Sequence, residues 1–394
     1  MRLLLITDTY TPSMISGAVQ MRDLSVELGH LGHEPVVLTP SSGLDRDFRI
    51  DIESGVTVLR VRSPQTKDVA HWRRAIAEFA LPWYLLRGLS KSGLTADKWD
   101  GVVWYSPTIF LGPLVRRVKR KNRCRSYLIV RDLFPDWAAD AGVLRRNGLL
   151  HKIFKQVERF QYRQADVIGV QTPSNAPLVE RDANGAWIEI LHNWLSQPND
   201  ADARTSHDLS ALAGRVNLVY AGNMGIAQDM DAFFDLADKW SSRTDVGFVL
   251  VGRGSEFERF KARAANLRNV LVLGEVPQED LPAVLSQCHI GIIALHPAHE
   301  THNIPGKLLT YLHAGLPVLA RINANNDLVE FVRQEKIGGV VPGSDFDLLM
   351  SVADEMVRDG AAREQMSSNG KMVVQRVFSS EAAARQVVAG LVRN

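Results

Sequence analysis

The stretch LVYAGNMGIAQDMDAF, residues 218–233, carries the pattern that decides the fold. A short apolar run ends at Ala221, a turn with Gly222 and Gly225 follows, and a helix comes after it. Glycine permits a tight turn whose backbone N–H groups face a ligand, which is typical of a strand–turn–helix unit. The glycines do not complete a G-x-G-x-x-G fingerprint, so the stretch gives only weak support to a nicotinamide cofactor.

Short apolar runs alternate with longer amphipathic segments along the rest of the chain as well. Strands separated by helix-length segments predict parallel sheets that are covered by helices on both faces. The predicted strands form two series: Arg2–Thr7, Pro35–Thr39, Val56–Val61, Gly101–Tyr105, Tyr127–Val130, Val167–Val170 and Ile188–Leu191, then Val216–Ala221, Gly247–Val251, Val270–Leu273, Ile290–Leu295, Pro317–Ala320 and Gly339–Val341. The polar stretch SQPNDADARTSHD between the two series predicts a linker.

Two series of similar size predict an α/β protein with two Rossmann-like, doubly wound domains facing a cleft. We expect the N-terminal domain in residues 1–197 and the C-terminal domain in residues 198–376. The remaining residues, 377–394, predict a helix that packs back across the domain junction. Ligands of open α/β sheets bind at the carboxyl ends of the strands, so the loops at those ends are the candidate sites.

The composition is typical of a globular protein of two domains. The chain has 394 residues, of which 45% are hydrophobic and 23% charged. A net charge of +2 gives no general attraction to nucleic acid, and two cysteines cannot build a disulfide framework. The first residues, MRLLLITDTYTP, predict a strand rather than a signal peptide, and no stretch is long enough to span a membrane. These features predict a cytoplasmic protein.

The segment HPAHETHNIPGKLLTYLHAGLPVLA, residues 296–320, is the strongest candidate for an anion site. Pro305 suits the first turn of a helix, Gly306 allows close backbone approach, and helix N-termini bind phosphate. Lys307 adds a cation, and Glu300 in the preceding loop has a carboxylate that accepts hydrogen bonds from sugar hydroxyls. The alternative is an ordinary helix start with a solvated lysine.

Three further strand ends carry candidate residues. Arg253 in LVGRGSEF either pairs with a diphosphate or is a surface arginine. Gly17 opens the helix after the first strand, where its N–H is placed to reach a phosphate or a reacting sugar. In YLIVRDLFPDW, Arg131 and Asp132 stand at a strand end. Asp132 either orients an acceptor hydroxyl or caps a helix.

Several segments together resemble the retaining glycosyltransferases of family 4, which have the GT-B fold. The resemblance looks closest to bacterial N-acetylfucosamine transferases of surface-polysaccharide assembly. It covers nearly the whole chain through SGAVQMRDLSVELGHLGHEPVVLTP, VRDLFPDWAADAGVL, LHNWL, YAGNMGIAQDMD, LVGRGSE, LGEVPQEDLPAVLSQCHIGIIAL and ETHNIPGKLLTYLHAGLPVLA. The last two segments together are the most specific part of the match.

The resemblance implies retaining transfer of an N-acetylated hexose or deoxyhexose from a UDP-sugar to a lipid-linked or glycan acceptor, without a cofactor. It implies catalytic roles for Glu300, Asp132 and Lys307. The implied acceptor-binding residues are Ser16, Gly17, Arg131 and Asp132. The implied donor-binding residues are Gly17, Gly222, Asn223, Gly225, Arg253, His302, Asn303, Ile304, Pro305, Gly306, Lys307 and Leu308.

This chain departs from many relatives in the glycine turn, where Asn223 and Gln228 stand in place of an arginine and a lysine. Arg253, Lys307 and backbone N–H groups are then the remaining candidates to hold the diphosphate. Two other functions fit the same pattern. A UDP-sugar 2-epimerase on this fold needs no acceptor, and a non-catalytic nucleotide-sugar-binding protein binds without transfer or hydrolysis.

No metal site is predicted. Three D-x-D matches, Asp45/Asp47, Asp229/Asp231 and Asp345/Asp347, fall in turns or at helix starts, where aspartate is common. His296, His299 and His302 bracket Glu300, but their spacing differs from the H-E-x-x-H zinc motif.

Two basic stretches are candidates for contact with a membrane surface. Residues 71–93 interleave aromatic side chains with arginine and lysine, and residues 115–125 form a dense basic run. Such stretches indicate either peripheral contact with an anionic membrane, at its inner face, or a solvated helix face. No nucleic-acid-binding module accompanies them.

Overall fold

The computed structural model describes residues 1–66, 70–140, 142–195, 207–297 and 304–393. The chain divides into two compact units. The N-terminal unit consists of Met1–Ser196 and Ser379–Asn394, and the C-terminal unit of Gln197–Phe378. Each unit is built on one sheet of its own.

The N-terminal unit has a sheet with the strand order β3-β4-β2-β1-β5-β6-β7-β8, in which β3 alone runs antiparallel to its neighbour. Its elements are β1 (Arg2–Ile6), α1 (Ser16–His30), β2 (Glu34–Ser41), β3 (Phe48–Glu53), β4 (Val56–Arg62), α2 (His71–Lys91), β5 (Gly101–Ser106), α3 (Gly112–Asn122), β6 (Arg125–Val130), α4 (Asp136–Asp140), α5 (Leu149–Tyr162), β7 (Val167–Val170), α6 (Ala176–Glu180) and β8 (Trp187–Ile190). A 3₁₀ turn, Pro173–Asn175, precedes α6.

The sheet of the N-terminal unit is buried on both faces because its strand residues point alternately to opposite sides. Leu4 and Ile6 pack into the cluster that includes side chains of α2 and α3. Leu3 and Leu5 pack into the other cluster, together with residues of α1. All four side chains are fully buried.

The last helix of the chain, α14 (Ser380–Val392), belongs to the N-terminal unit. Ser379 caps it by accepting a hydrogen bond from the N–H of Ala382 at 3.0 Å. Val387 and Leu391 on its inner face pack with the apolar side chains of β1 and α1. The final segment of the chain thus completes the core of the first unit.

The C-terminal unit has an all-parallel sheet with the strand order β11-β10-β9-β12-β13-β14. Its elements are β9 (Val216–Ala221), α7 (Asp231–Lys239), β10 (Val246–Val251), α8 (Phe257–Ala264), β11 (Val270–Leu273), α9 (Leu281–Leu285), β12 (Ile290–Ala294), α10 (Lys307–His313), β13 (Val318–Ile322), α11 (Asp327–Glu335), β14 (Gly338–Pro342), α12 (Phe346–Arg358) and α13 (Gly360–Val373). Short 3₁₀ turns lie at Ser210–Leu212 and Ile226–Gln228, and a π-helical turn at Val374–Phe378.

The predicted fold class, two Rossmann-like α/β domains, is confirmed, and each predicted strand is present with its ends moved by at most two residues. Most of the predicted linker, residues 196–206, lies outside the described residues. The prediction missed β3, a charged edge strand whose Ile52 is 78% exposed. A hairpin turn at Ser54 and Gly55, both with positive φ, joins β3 to β4 and was the available signal.

No helix in the described ranges combines the length and the apolar character needed to cross a bilayer.

Candidate functional site

Two glycine turns at the carboxyl ends of β9 and β10 pack against each other, backbone to backbone. Gly222 and Gly252 have φ of 142° and 140°, which side-chain-bearing residues rarely adopt. A Cβ on Gly252 would lie 2.0 Å from the carbonyl oxygen of Gly222. Two hydrogen bonds join the turns, from Gly222 N to Val251 O at 2.9 Å and from Met224 N to Arg253 O at 2.7 Å. The close approach of the two turns therefore requires glycine at these positions.

Lys307, the first residue of α10, extends its side chain over the Gly222 turn. A Cβ on Gly222 would lie 2.7 Å from Lys307 Cε, and Lys307 Nζ is 5.0 Å from the centroid of the Tyr220 ring. Among the residues that the structure describes, no carboxylate pairs with this ammonium group. Burial lowers the pKa of Lys307. A desolvated cation without a counter-charge favours an anionic ligand, whose binding would offset the desolvation cost.

Two tyrosines, Tyr220 and Tyr311, form the surface next to the Lys307 side chain. The Tyr311 hydroxyl oxygen accepts a hydrogen bond from Ala221 N at 2.8 Å, and the Tyr220 hydroxyl donates to the carbonyl of Asn223. Burial raises the pKa of both phenols, so neither becomes an anion that neutralises Lys307. The cation therefore sits on an aromatic, uncharged surface.

Asn223 and Gln228 order the Gly222 turn. The Gln228 Oε1 atom accepts hydrogen bonds from Asn223 Nδ2 at 3.2 Å and from Gly225 N at 3.0 Å. These residues thus close the loop and hold Gly225 in place. The sequence pattern indicated the loss of two charges but not this replacement role.

Arg253 lies on the surface. Its side chain is 77% exposed and forms an ion pair with Glu275 at 3.2 Å. Of the two roles considered for it, this arrangement matches that of a surface arginine, and an exposed ion pair of this kind contributes little to stability.

The remaining predicted donor-binding residues around α10 divide into two groups. Ile304 and Leu308 are buried and anchor the start of the helix in the core. Gly306 is exposed, and the Pro305 carbonyl accepts a hydrogen bond from Leu308 N at 3.0 Å. The other three predicted residues, Glu300, His302 and Asn303, lie outside the described residues, as does His299.

Four of the D-x-D carboxylates are engaged by protein groups in the described chain. Asp229 pairs with the buried Arg321, and Asp47 with Lys91. Asp231 pairs with Arg259 at 2.7 Å. Asp345 caps α12 by accepting a hydrogen bond from Leu348 N. Within the described ranges, no group of three or more metal-ligand side chains comes together.

In the N-terminal unit, Gly17 lies against β5. A Cβ on Gly17 would be 2.9 Å from Cε1 of Tyr105, whose hydroxyl donates to Gln20 Oε1 at 3.2 Å. Ser16 precedes it as the exposed first residue of α1. The glycine thus lets the first turn of α1 approach the end of β5.

Arg131, one of the implied acceptor-binding residues, makes several contacts within the protein. It is buried, and its Nη1 and Nη2 atoms donate to the carbonyls of Leu191 at 2.6 Å and His192 at 3.2 Å. Its guanidinium also lies 5.0 Å from the centroid of the Trp194 ring. These two hydrogen bonds fasten the segment after β8, and one of them satisfies the buried carbonyl of Leu191.

Asp132, the next residue, has a side chain that reaches solvent. The surrounding protein partly desolvates its carboxyl group and raises the pKa, against the opposing charge of Arg131. The carboxylate makes no hydrogen bond with the described residues. Asp132 thus keeps both oxygens available to an incoming hydroxyl group.

A recess of about 480 Å³ lies at the carboxyl ends of β1, β2 and β4 in the N-terminal unit. Hydroxyl side chains dominate its lining: Thr9, Thr11, Ser13, Thr39, Ser41, Ser42, Ser63 and Thr66. Its cation, Arg60, is buried and already pairs with Asp51 and Glu53, at 2.7 and 2.6 Å. Asp8 also lines the recess, so its lining combines hydroxyl groups with one carboxylate. Serine and threonine after three predicted strands were the sequence signal for this recess, which was not predicted.

The N-terminal unit also exposes a group of large apolar side chains, here called the aromatic patch. Its members on α2, α4 and α5 are Ile76, Phe79, Trp83, Trp137, Leu150 and Ile153, each at least 47% exposed. Ring contacts link Phe79 through Phe110, Phe154 and Phe134 to Trp137. Of the two basic stretches, residues 71–93 thus contribute to an exposed apolar surface. In the other, Lys119 is tied to Asp166 at 2.8 Å.

Two family models match the chain, one in each unit. The model described as "Glycosyl transferase 4-like domain" matches residues 17–194, and "Glycosyl transferases group 1" matches residues 215–359. Between them they account for most of the chain, and the second match contains both glycine turns and Lys307.

Individual relatives agree with these matches. The Pseudomonas aeruginosa protein named "Probable glycosyltransferase WbjE" is 21% identical over 239 residues, which span 58% of this chain and 59% of that relative. The structure of the E. coli trehalose-6-phosphate protein "bound with UDP-2-fluoro glucose" superposes with a TM-score of 0.67 at 10% identity, covering 100% of this chain and 99% of that one. WaaG, "a glycosyltransferase involved in lipopolysaccharide biosynthesis", gives 0.57 at 14% identity and covers 100% of both chains. The paired domain matches and the two-sheet fold together show that this chain belongs to the glycosyltransferases with the GT-B fold.

Proposed function

We propose that this protein transfers a sugar from a UDP-sugar, with retention of configuration, to a lipid-linked or glycan acceptor in bacterial surface-polysaccharide synthesis. The donor sugar in this proposal is an N-acetylated hexose or deoxyhexose. The observation that carries the proposal is the desolvated Lys307 ammonium group, which faces the Gly222 turn without a carboxylate partner in the described chain. The UDP-2-fluoro glucose of the E. coli structure and the lipopolysaccharide role of WaaG support the substrate classes.

The donor diphosphate is assigned to the glycine turns and Lys307. A leaving diphosphate gains negative charge as the bond to the sugar breaks, and fixed donors in a dry site stabilise that charge. Lys307 and the backbone N–H groups of the Gly222–Gly225 turn supply such donors. Glu300, His302 and Asn303 complete the proposal as residues that hold the sugar and the phosphates.

The acceptor is assigned to the N-terminal unit. Asp132 has free carboxylate oxygens to orient an acceptor hydroxyl, and Ser16 and Gly17 at the start of α1 shape the same edge of the sheet. The recess of about 480 Å³ is lined mainly by hydroxyl groups, which suit sugar residues further along a glycan.

A selective thermal shift with UDP tests the donor assignment. UDP, dTDP, GDP, ADP and NAD are each added at millimolar concentration, and unfolding is followed calorimetrically. Because a ligand at 100 times its Kd stabilises the folded state by about 2.7 kcal/mol, UDP is expected to raise the Tm of the C-terminal unit by about 5–10 °C. Lys307→Met is the control and should lose most of the shift. A shift with NAD alone, or an equal UDP shift in Lys307→Met, would contradict the donor site.

We further propose that the protein is cytoplasmic and contacts the inner face of the membrane through the aromatic patch. Exposed aromatic and aliphatic side chains on neighbouring helices can enter the headgroup region, and nearby basic side chains favour anionic lipid. Arg73, Arg74 and Lys152 lie on the same helices, α2 and α5. The exposed side chains carry this proposal.

The membrane proposal predicts a measurable loss on removing two apolar contacts. Phe79→Ser with Leu150→Ser is expected to weaken partitioning into phosphatidylglycerol vesicles at least tenfold, since each large apolar side chain contributes about 1.5–3 kcal/mol on burial. Vesicle flotation measures the partition coefficient. Ile52→Ser is the control, because Ile52 is 78% exposed, more than Phe79 or Leu150, but lies on β3, outside the patch. Equal flotation of the double variant and the control would refute the proposed surface.

A further inference from the structure

A second cavity in the C-terminal unit lies at the edge of the sheet opposite to the Gly222 turn. It has a volume of about 370 Å³ and lies where β9 and β12 begin. β9 runs from Val216 to Ala221, so the length of this strand separates the cavity from the Gly222 turn by roughly 20 Å. Nothing in the glycosyl-transfer proposal uses this amino-terminal edge. We call this space the amino-edge cavity.

The lining of the amino-edge cavity is cationic. Arg215, His289 and Arg363 line it, and none of its lining residues carries a carboxylate. Arg363 donates from Nη1 to two backbone carbonyls at the C-terminal end of α12, both at 2.7 Å, which fixes the guanidinium. Arg215 makes one long contact, 3.5 Å from Nη1 to the carbonyl of Val246. In the described part of the chain, neither arginine forms an ion pair.

His289 presents a donor to the same space. Its Nδ1 atom accepts a hydrogen bond from Asn217 N at 3.1 Å, and the backbone N–H of His289 donates to Asn217 O at 2.8 Å. Because Nδ1 is the acceptor, the neutral imidazole carries its proton on Nε2. Burial and the charge of Arg363 lower the pKa of His289, which agrees with a cation at close range.

The acidic group nearest in sequence to the lining segment is Asp208. Its carboxylate accepts a hydrogen bond from Ser210 N at 2.8 Å and closes the turn before β9. Asp208 is not among the residues that line the cavity, so neither arginine has a counter-charge within the lining itself.

We propose that the amino-edge cavity binds a phosphate-type oxyanion, free or carried by a small metabolite, at a site separate from the nucleotide-sugar site. The two arginines supply the charge, and their planar guanidinium groups suit a tetrahedral oxyanion with several acceptor oxygens. His289 Nε2 adds a directional donor. The volume is at the lower end of small-molecule sites, which fits a phosphate group with a small body attached. This inference does not rest on the transfer reaction.

Sulfate is the probe for this site, because it stays fully ionised across neutral pH. Calorimetric titration with sodium sulfate, against sodium chloride of equal ionic strength, is done on the Lys307→Met chain, so that the nucleotide-sugar site cannot account for binding. We expect saturable binding. Ala213 is exposed and lines the cavity, so Ala213→Glu places a carboxylate there without touching the core. It should weaken sulfate binding at least tenfold, whereas the isosteric Ala213→Gln should keep the affinity within about twofold, since tenfold corresponds to about 1.4 kcal/mol.

Each outcome is decisive. Absence of saturable binding, or an equal affinity in the Glu and Gln variants, whether retained or reduced, overturns the proposal. Inorganic phosphate and glucose 1-phosphate then distinguish a free ion from a phosphorylated metabolite by which binds more tightly. A failed UDP shift would refute the donor site and leave the sulfate result untouched, so the two failures are distinguishable.

Discussion

Replacement of Lys307 by methionine is expected to lower kcat by about 100-fold or more while the fold persists. Methionine keeps the length and the apolar packing of the side chain over the Tyr220 ring and removes only the charge. In the proposed mechanism, that charge stabilises the diphosphate as it leaves the sugar. Because Lys307 is desolvated without a carboxylate partner, its loss should leave the Tm unchanged or higher.

Steady-state kinetics with a UDP-N-acetylhexosamine and a lipid-linked acceptor measure this effect, with calorimetry as the check on folding. Lys261→Met is the matched control, because Lys261 is an exposed lysine on α8 of the same unit. A Lys307→Met enzyme with kcat within threefold of the parent would refute the role of the ammonium group. A large fall in Tm would instead assign Lys307 to structure.

Replacement of Gly252 by alanine is expected to destabilise the C-terminal unit by about 3 kcal/mol or more. The new Cβ would lie 2.0 Å from the carbonyl oxygen of Gly222, and a φ of 140° is strained for any L side chain. Relief of the clash requires the two glycine turns to separate. Since Lys307 rests on Gly222, the UDP shift should fall together with stability.

Urea unfolding measures the stability change, and the thermal shift with UDP measures the site. Gly274→Ala is the control: its carbonyl accepts the N–H of Gly252 at 3.2 Å, and a Cβ on Gly274 meets no heavy atom within 4 Å. Its free energy of unfolding should change by less than about 1 kcal/mol. If the Gly252→Ala and Gly274→Ala proteins have equal free energies of unfolding, the two glycine turns can separate without loss of stability, and the prediction is wrong.

Strand positions were predictable because strand formation leaves a local signal of short apolar runs bounded by turn residues. The exception, β3, is an edge strand in which charged residues alternate with the exposed Ile50 and Ile52, so it lacks that apolar run. The positions of Gly222, Gly252 and Lys307 beside strand ends or helix starts were predictable for the same reason, because the signal lies in neighbouring residues. Their mutual contact was predictable only in outline, from the rule that carboxyl ends of parallel strands meet at one edge.

Roles that depend on burial were not predictable in this way. Arg131 has the sequence context of a strand-end cation, yet packing against Trp194 and two carbonyls makes it structural. Asn223 and Gln228 lack charge in the sequence, yet one hydrogen bond between them shapes the turn. The hydrogen-bond partners of these residues are set by how the chain folds, and the sequence pattern around each residue does not specify them.

Two parallel α/β sheets with glycine turns and a cationic helix start at the strand ends can be predicted from the sequence, because consecutive residues encode these features. Three others required the folded structure: α14 completes the core of the N-terminal unit, Lys307 lies over Gly222 without a carboxylate partner among the described residues, and Arg215 and Arg363 line one cavity. The physical reason is that burial and electrostatic pairing depend on residues far apart in the chain, and those distances are set by packing.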